Sequence, residues 1–121
     1  MAKVTKVRFE PGTHLPAKAE SDIDAGTLVV VSAGGINPTV KTAGAGTIPL
    51  GVVAHSAKAG DLVTVLRGSV VAEVVAAGAI AVGDAVAVGA NGAAVKAAEG
   101  AVVIGVAVEP AANNAVFVAF K

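Results

Sequence analysis

Two histidines, His14 and His55, are the only imidazoles of this chain, and it contains no cysteine. His55-Ser56, with Asp61 close behind, supplies the residue types of a base, a nucleophile and an orienting carboxylate. The segment is expected instead to be a surface loop between short strands. His14, His55, Asp22 and Asp24 are of metal-ligating type, but their spacing follows no ligand motif. Gly44-Ala45-Gly46-Thr47 has the glycines of a phosphate loop without the lysine before its hydroxyl residue. Ile48-Pro49-Leu50 follows it, which opens a strand and not a helix that could aim amides at phosphate. Asp61 and Asp84 each follow a glycine and read as turn formers, since Asp bonds readily to nearby backbone. No catalytic residue, metal or cofactor is expected, and the chain is not read as an enzyme.

Lysine offers one more chemistry. Val40-Lys41 returns as Val95-Lys96, so the two lysines are expected at matching places. A lysine on a hairpin tip can carry a biotinyl or lipoyl group. The turns here are Thr39-Val40-Lys41-Thr42 and Ala94-Val95-Lys96-Ala97, neither of the Met-Lys-Met or Asp-Lys-Ala type such carriers use.

The elements that must position these residues come in two copies. Ile23–Val31 is echoed by Ile80–Val88 at an offset of 57, Val40-Lys41 at 55, and Leu50–Val53 by Ile104–Ala107 at 54. Leu62–Arg67 is aligned with Val116–Lys121, again at 54. Two copies are too few for a solenoid. They predict one pseudo-symmetric domain, with repeat halves at about residues 23–67 and 80–121. Strands are expected at Thr27–Val31, around Thr39–Lys41, and at Leu50–Ala54 and Leu62–Leu66. The second set is Ser69–Val75, Ala85–Val88, around Ala93–Lys96, Val102–Val108 and Val116–Phe120. Asn91-Gly92 is a two-residue hairpin signal, because both positions accept positive φ. Ala76–Ala81 has the alanines of a short helical turn, weakened by Gly78. The fold class is therefore all-β: a small β-barrel or β-tulip-like domain built from a duplicated strand unit.

Composition agrees. Of 121 residues 55% are hydrophobic, yet only three are aromatic, Phe9, Phe117 and Phe120. Val and Ala in such excess make thin, closely packed β layers. Mean hydropathy is +0.77, but the apolar stretch Val74–Gly83 ends at Asp84, far short of the roughly 20 residues of a spanning helix. No secretory signal is expected at the N-terminus. Nine basic and nine acidic residues cancel, leaving no cationic field for nucleic acid. From Gly68 onward the only charges are Glu73, Asp84, Lys96, Glu99, Glu109 and Lys121. So apolar a surface predicts coverage by other subunits.

Residues 1–20 are read as an extended N-terminal arm with room for one short strand, and residues 21–121 as a single β domain. Lys3, Lys6 and Arg8 alternate with Val4, Val7 and Phe9 before Pro11, Gly12 and Pro16 interrupt. Such alternation suits addition to the edge of another sheet, and it equally suits an ordinary first strand or a frayed terminus.

Gly83-Asp84-Ala85-Val86, Asn91-Gly92, Val95-Lys96, Ile104-Gly105-Val106-Ala107 and Val116-Phe117-Val118, in that order, resemble the small capsid cement or head decoration proteins of tailed bacteriophages. The Gly- and Ala-rich segment 42–47 has no place in that pattern. The resemblance implies a structural virion protein made in the host cytoplasm and carried on the outer capsid surface. It implies a homotrimer at three-fold positions that binds the phage major capsid protein and stabilises the head. Lys3, Val4, Lys6, Val7, Arg8 and Phe9 are then the expected capsid-binding arm, with neither nucleic acid nor membrane as partner. The alternative is a binding module, a carrier modified at Lys41 or Lys96 or a surface adhesin. An adhesin for sugars is disfavoured by the absence of Trp and Tyr as stacking platforms.

Overall fold

The computed structural model describes residues 14–121. Among these residues ten strands make two sheets. The first sheet contains β1 (His14–Ala19), β2 (Leu28–Ala33), β3 (Thr39–Thr42), β4 (Gly51–Val53) and β5 (Leu62–Leu66). The second contains β6 (Val71–Val75), β7 (Ala85–Val88), β8 (Ala94–Lys96), β9 (Gly105–Ala107) and β10 (Ala115–Phe120). Alternation sets the faces: in β5 Val63 and Val65 point inward, and in β6 Ala72 and Val74 do so. Among the described residues, helical structure is confined to one 3-10 turn, Ala90–Gly92. The segment Ala76–Ala81 does not form the helical turn its alanines suggested. It is held instead by bonds from Ala76 N–H to Asn114 O and from Ala77 N–H to Ala94 O.

The first sheet is a closed barrel in the order β1-β3-β2-β4-β5, sealed by antiparallel β1–β5 and parallel β1–β3. The second runs β6-β10-β9-β7-β8, which is the same path. Substituting β6 for β1, β7 for β2, β8 for β3, β9 for β4 and β10 for β5 converts one order into the other. The duplicated unit therefore includes β1 and β6, and begins before Ile23. His14–Ala19, within the stretch read as an arm, is a strand paired along its length with β5.

Hydrogen-bond register corrects two of the sequence offsets. Val86 faces Lys96 as Val29 faces Thr42, so Lys96 corresponds to Thr42 and Lys41 to Val95. Val118 faces Ala107 as Val65 faces Val53, which aligns Leu62–Leu66 with Ala115–Ala119. Each expected offset was one residue too long. Runs of Val, Ala and Leu match about equally well when shifted by one, but a one-residue slip exchanges the faces of a strand. Burial resolves the choice: Val63 and Val65 are buried, as are Val116 and Val118, whereas Phe117 is outside.

Two apolar cores result. One fills the first barrel with Ile23, Val29, Val40, Val53, Val63 and Val65, packed around Ala17 and Ala19. The other is centred on Val74, Val86, Val116 and Val118 and extends across to Leu28, Ala43 and Val52 of the first half. Each fully buried Val contributes on the order of 1.5 kcal/mol relative to exposure. Leu28 and Val52 thus fasten the halves together, helped by bonds from Val75 N–H to Gly26 O (2.9 Å) and from Gly46 N–H to Val88 O (3.1 Å).

Candidate assembly surface

The side chains of His55, Ser56 and Asp22 are engaged by the backbone. Thr64 N–H donates to His55 Nε2 at 3.3 Å, which leaves Nδ1–H to donate to Ser56 O at 3.1 Å. Ser56 Oγ accepts from Ala25 N–H at 2.9 Å. The hydroxyl and the imidazole therefore serve different backbone groups and form no nucleophile–base pair. His55 pins the β4–β5 connection. Asp22 caps Ala59 N–H (2.9 Å) and lies 3.7 Å from Lys58 on the surface. Among the described residues no group of three or more His, Cys, Asp or Glu converges on a metal position.

Asp84 accepts from Ala81 N–H at 2.8 Å, the turn-forming role expected of it. Its counterpart in the other half is Thr27, since Thr27 N–H to Asp24 O and Asp84 N–H to Ala81 O are equivalent bonds. Asp61 corresponds instead to Asn114, so the two acids do not occupy matching turns. Gly44–Thr47 is a turn closed by Thr47 Oγ1 donating to Gly44 O at 2.7 Å, and Gly46 of the same turn touches the second half. Lys41 and Lys96 lie within β3 and β8, not on hairpin tips, and Lys96 is 4.0 Å from Asp84. Asn91 and Gly92 take the positive φ values expected of them, 58° and 69°, but the turn has three residues, Ala90–Gly92, closed by Gly89 N–H to Ala93 O, and not the two expected.

A cleft of about 260 Å³ opens between the halves, lined by Ile48, Leu50, Val102 and Phe120, with Arg67 and Lys121 also present. Its walls are mainly apolar and carry no convergent catalytic group. The larger surface feature is the outer side of the second sheet. In register across β6, β10 and β9 lie Val71, Ala119 and Val106, and beside them Glu73 and Phe117. Val71, Val106, Val108 and Phe117 are all exposed there. Apolar residues in a contiguous outer row are an association surface more than a pocket. Sequence reasoning predicted covered apolar surface but not its location, which depends on the register of the last strand. Lys3, Val4, Lys6, Val7, Arg8 and Phe9, the expected capsid-binding arm, lie outside the described residues.

The comparisons agree with an assembly role. No curated protein matches the chain. Among solved structures, the head fiber gp8.5 N base of bacteriophage phi29 is similar with a TM-score of 0.76 and 30% identity. That match covers 89% of this chain and 92% of the other. Residues 9–121 match the family described as phage cement protein, and with so much of its length matched the chain belongs to that family.

Proposed function

We propose that this protein stabilises a phage head from outside, seated as a homotrimer at three-fold positions where it clamps neighbouring copies of the major capsid protein. Membership of the phage cement family makes it a structural virion protein of the capsid surface. The family match over residues 9–121 is the observation that carries the proposal. The likeness to the base of a phi29 head fiber supports the same placement. The physical features fit, with exposed apolar strands available for contact. A trimer at a three-fold junction engages several capsid subunits at once, so modest contacts per subunit suffice through effective concentration.

The capsid contact is assigned to Lys3, Val4, Lys6, Val7, Arg8 and Phe9. Their sequence alternates basic with apolar side chains, suited to acidic capsid loops and to apolar anchoring. The test is binding to purified expanded empty shells with residues 2–10 deleted. The folded, truncated domain is expected to stay in the supernatant while the whole chain sediments with shells. Retained binding by the truncated protein would transfer the contact to the β domain.

A further inference from the structure

The two halves meet front to back, and among the described residues this leaves one front and one back unused. The front of the first half consists of Gly26, Leu28, Val52 and Leu66, which face the second half. The back of the second half supplies Val75, Val88 and the Ala90–Gly92 turn. That turn sits so close that a Cβ on Gly92 would lie 2.6 Å from Leu28 O and from Thr27 Cγ2. A twofold relation would also require Lys18 N–H to donate to Gly83 O, but Lys18 N–H donates to Pro38 O at 2.9 Å. The internal contact is therefore heterologous, the kind that can be repeated by a further unit.

The equivalent front on the second half is Gly83, Ala85, Val106 and Ala119. Among the described residues nothing covers it. Val52 is 1% exposed, whereas its counterpart Val106 is 44% exposed. A Cβ on Gly26 would meet Glu73 O and Val75 at 3.5 Å, while one on Gly83 would meet nothing within 4 Å. Correspondingly, the back of the first half is uncovered among the described residues: Val31, the counterpart of buried Val88, is half exposed, and Ile36 on the β2–β3 loop is 62% exposed.

We propose that copies of this chain associate head-to-tail by repeating the internal contact. The β2–β3 loop of one protomer, led by Ile36 and Val31, lies on the Gly83–Ala85–Val106–Ala119 front of the next. Continuity with the interface inside the chain selects this occupant, because that front has the strand geometry that already receives a unit of the same fold. Rotation that closes gives a ring, the form a trimer takes. The inference rests on the self-associating part of the proposed function and is independent of shell binding.

The experiment is solution mass by light scattering, without shells, for the whole chain, Ile36→Asp, Val106→Asp and an equimolar mixture of the two variants. The whole chain is expected as one closed oligomer and each variant as a monomer with an unchanged circular dichroism spectrum. The mixture is expected to form a dimer and nothing larger, since one intact front and one intact back remain. If Val106→Asp loses its fold, Ala119→Lys on the same front replaces it. A monomeric whole chain, variants of undiminished mass, or a mixture that stays monomeric would each overturn the proposal. Failure to bind shells by an intact oligomer would leave it standing and overturn the capsid role instead.

Discussion

Ala76 pairs with Ala94 in a single parallel bridge, closing the second sheet at the place where Lys18–Thr39 and Ala19–Val40 close the first. The bond from Ala77 N–H to Ala94 O, 2.9 Å, is the counterpart of Glu20 N–H to Val40 O, also 2.9 Å. One half is thus a sealed barrel, and the other is the same barrel with a shorter seam. Seams with fewer paired residues open at lower free energy. Native-state hydrogen exchange is expected to show the Ala77 amide exchanging faster than those of Lys18 and Glu20. Equal protection would mean that the two seams are energetically alike.

Gly51 and Gly105 hold the same register in β4 and β9, and both are chosen for close approach. A Cβ on Gly51 would strike Leu66 O, and one on Gly105 would strike Ala119 O, backbone atoms of the paired strand that have little room to give. Gly105→Ala is expected to destabilise the fold by roughly 1–3 kcal/mol through overpacking. Gly44→Ala, with nothing within 4 Å of its Cβ position, is expected to be nearly neutral. Thermal or urea unfolding of the two variants checks the contrast.

Leu28, fully buried between the halves, tests how they are fastened. Leu28→Ala is expected to cost about 2–5 kcal/mol, the range for truncating a buried Leu. Its counterpart Ala85 already has the small side chain, in keeping with the open front on which it lies. Urea titration of Leu28→Ala should show a lower midpoint. A midpoint equal to that of the unaltered chain would contradict the assignment of Leu28 to the shared core.

His55 is expected to matter for stability alone. His55→Ala removes the acceptor for Thr64 N–H and the donor to Ser56 O, a loss of about 1 kcal/mol at an exposed site. Unfolding experiments measure that loss, and shell sedimentation should be unchanged. A defect in shell binding with unaltered stability would give His55 a role in the interface.

Much of this architecture is legible in the residues. Leu62–Leu66 and Ala85–Val88 are strands with the bounds their alternation indicates, and Asn91-Gly92 turns as its side chains require. β1 was the least visible strand, because Pro16 interrupts it. The chain tolerates that proline because β1 pairs with β3 only through Lys18 and Ala19, leaving Pro16 without a ladder partner on that edge. The register of β8 and β10 was hidden for a different reason. Alternating Val and Ala align with their repeat equally well at two offsets, and only hydrogen-bond pairing decides between them. Val106 aligns with Val52 at the offset of 54 read from the sequence, but the rest of the open front depends on the β10 register, so Ala119 could not be singled out from its neighbours.

The central claim is that this chain is a cement on the outside of a phage head. Its most direct test is to titrate purified expanded shells with the protein, measuring bound stoichiometry by sedimentation and shell rupture on heating. The account predicts saturation at a fixed number of copies per shell, in multiples of three at each site, and rupture at a higher temperature than for bare shells. No saturable binding to the matched shell, or binding that leaves the rupture temperature unchanged, would contradict it.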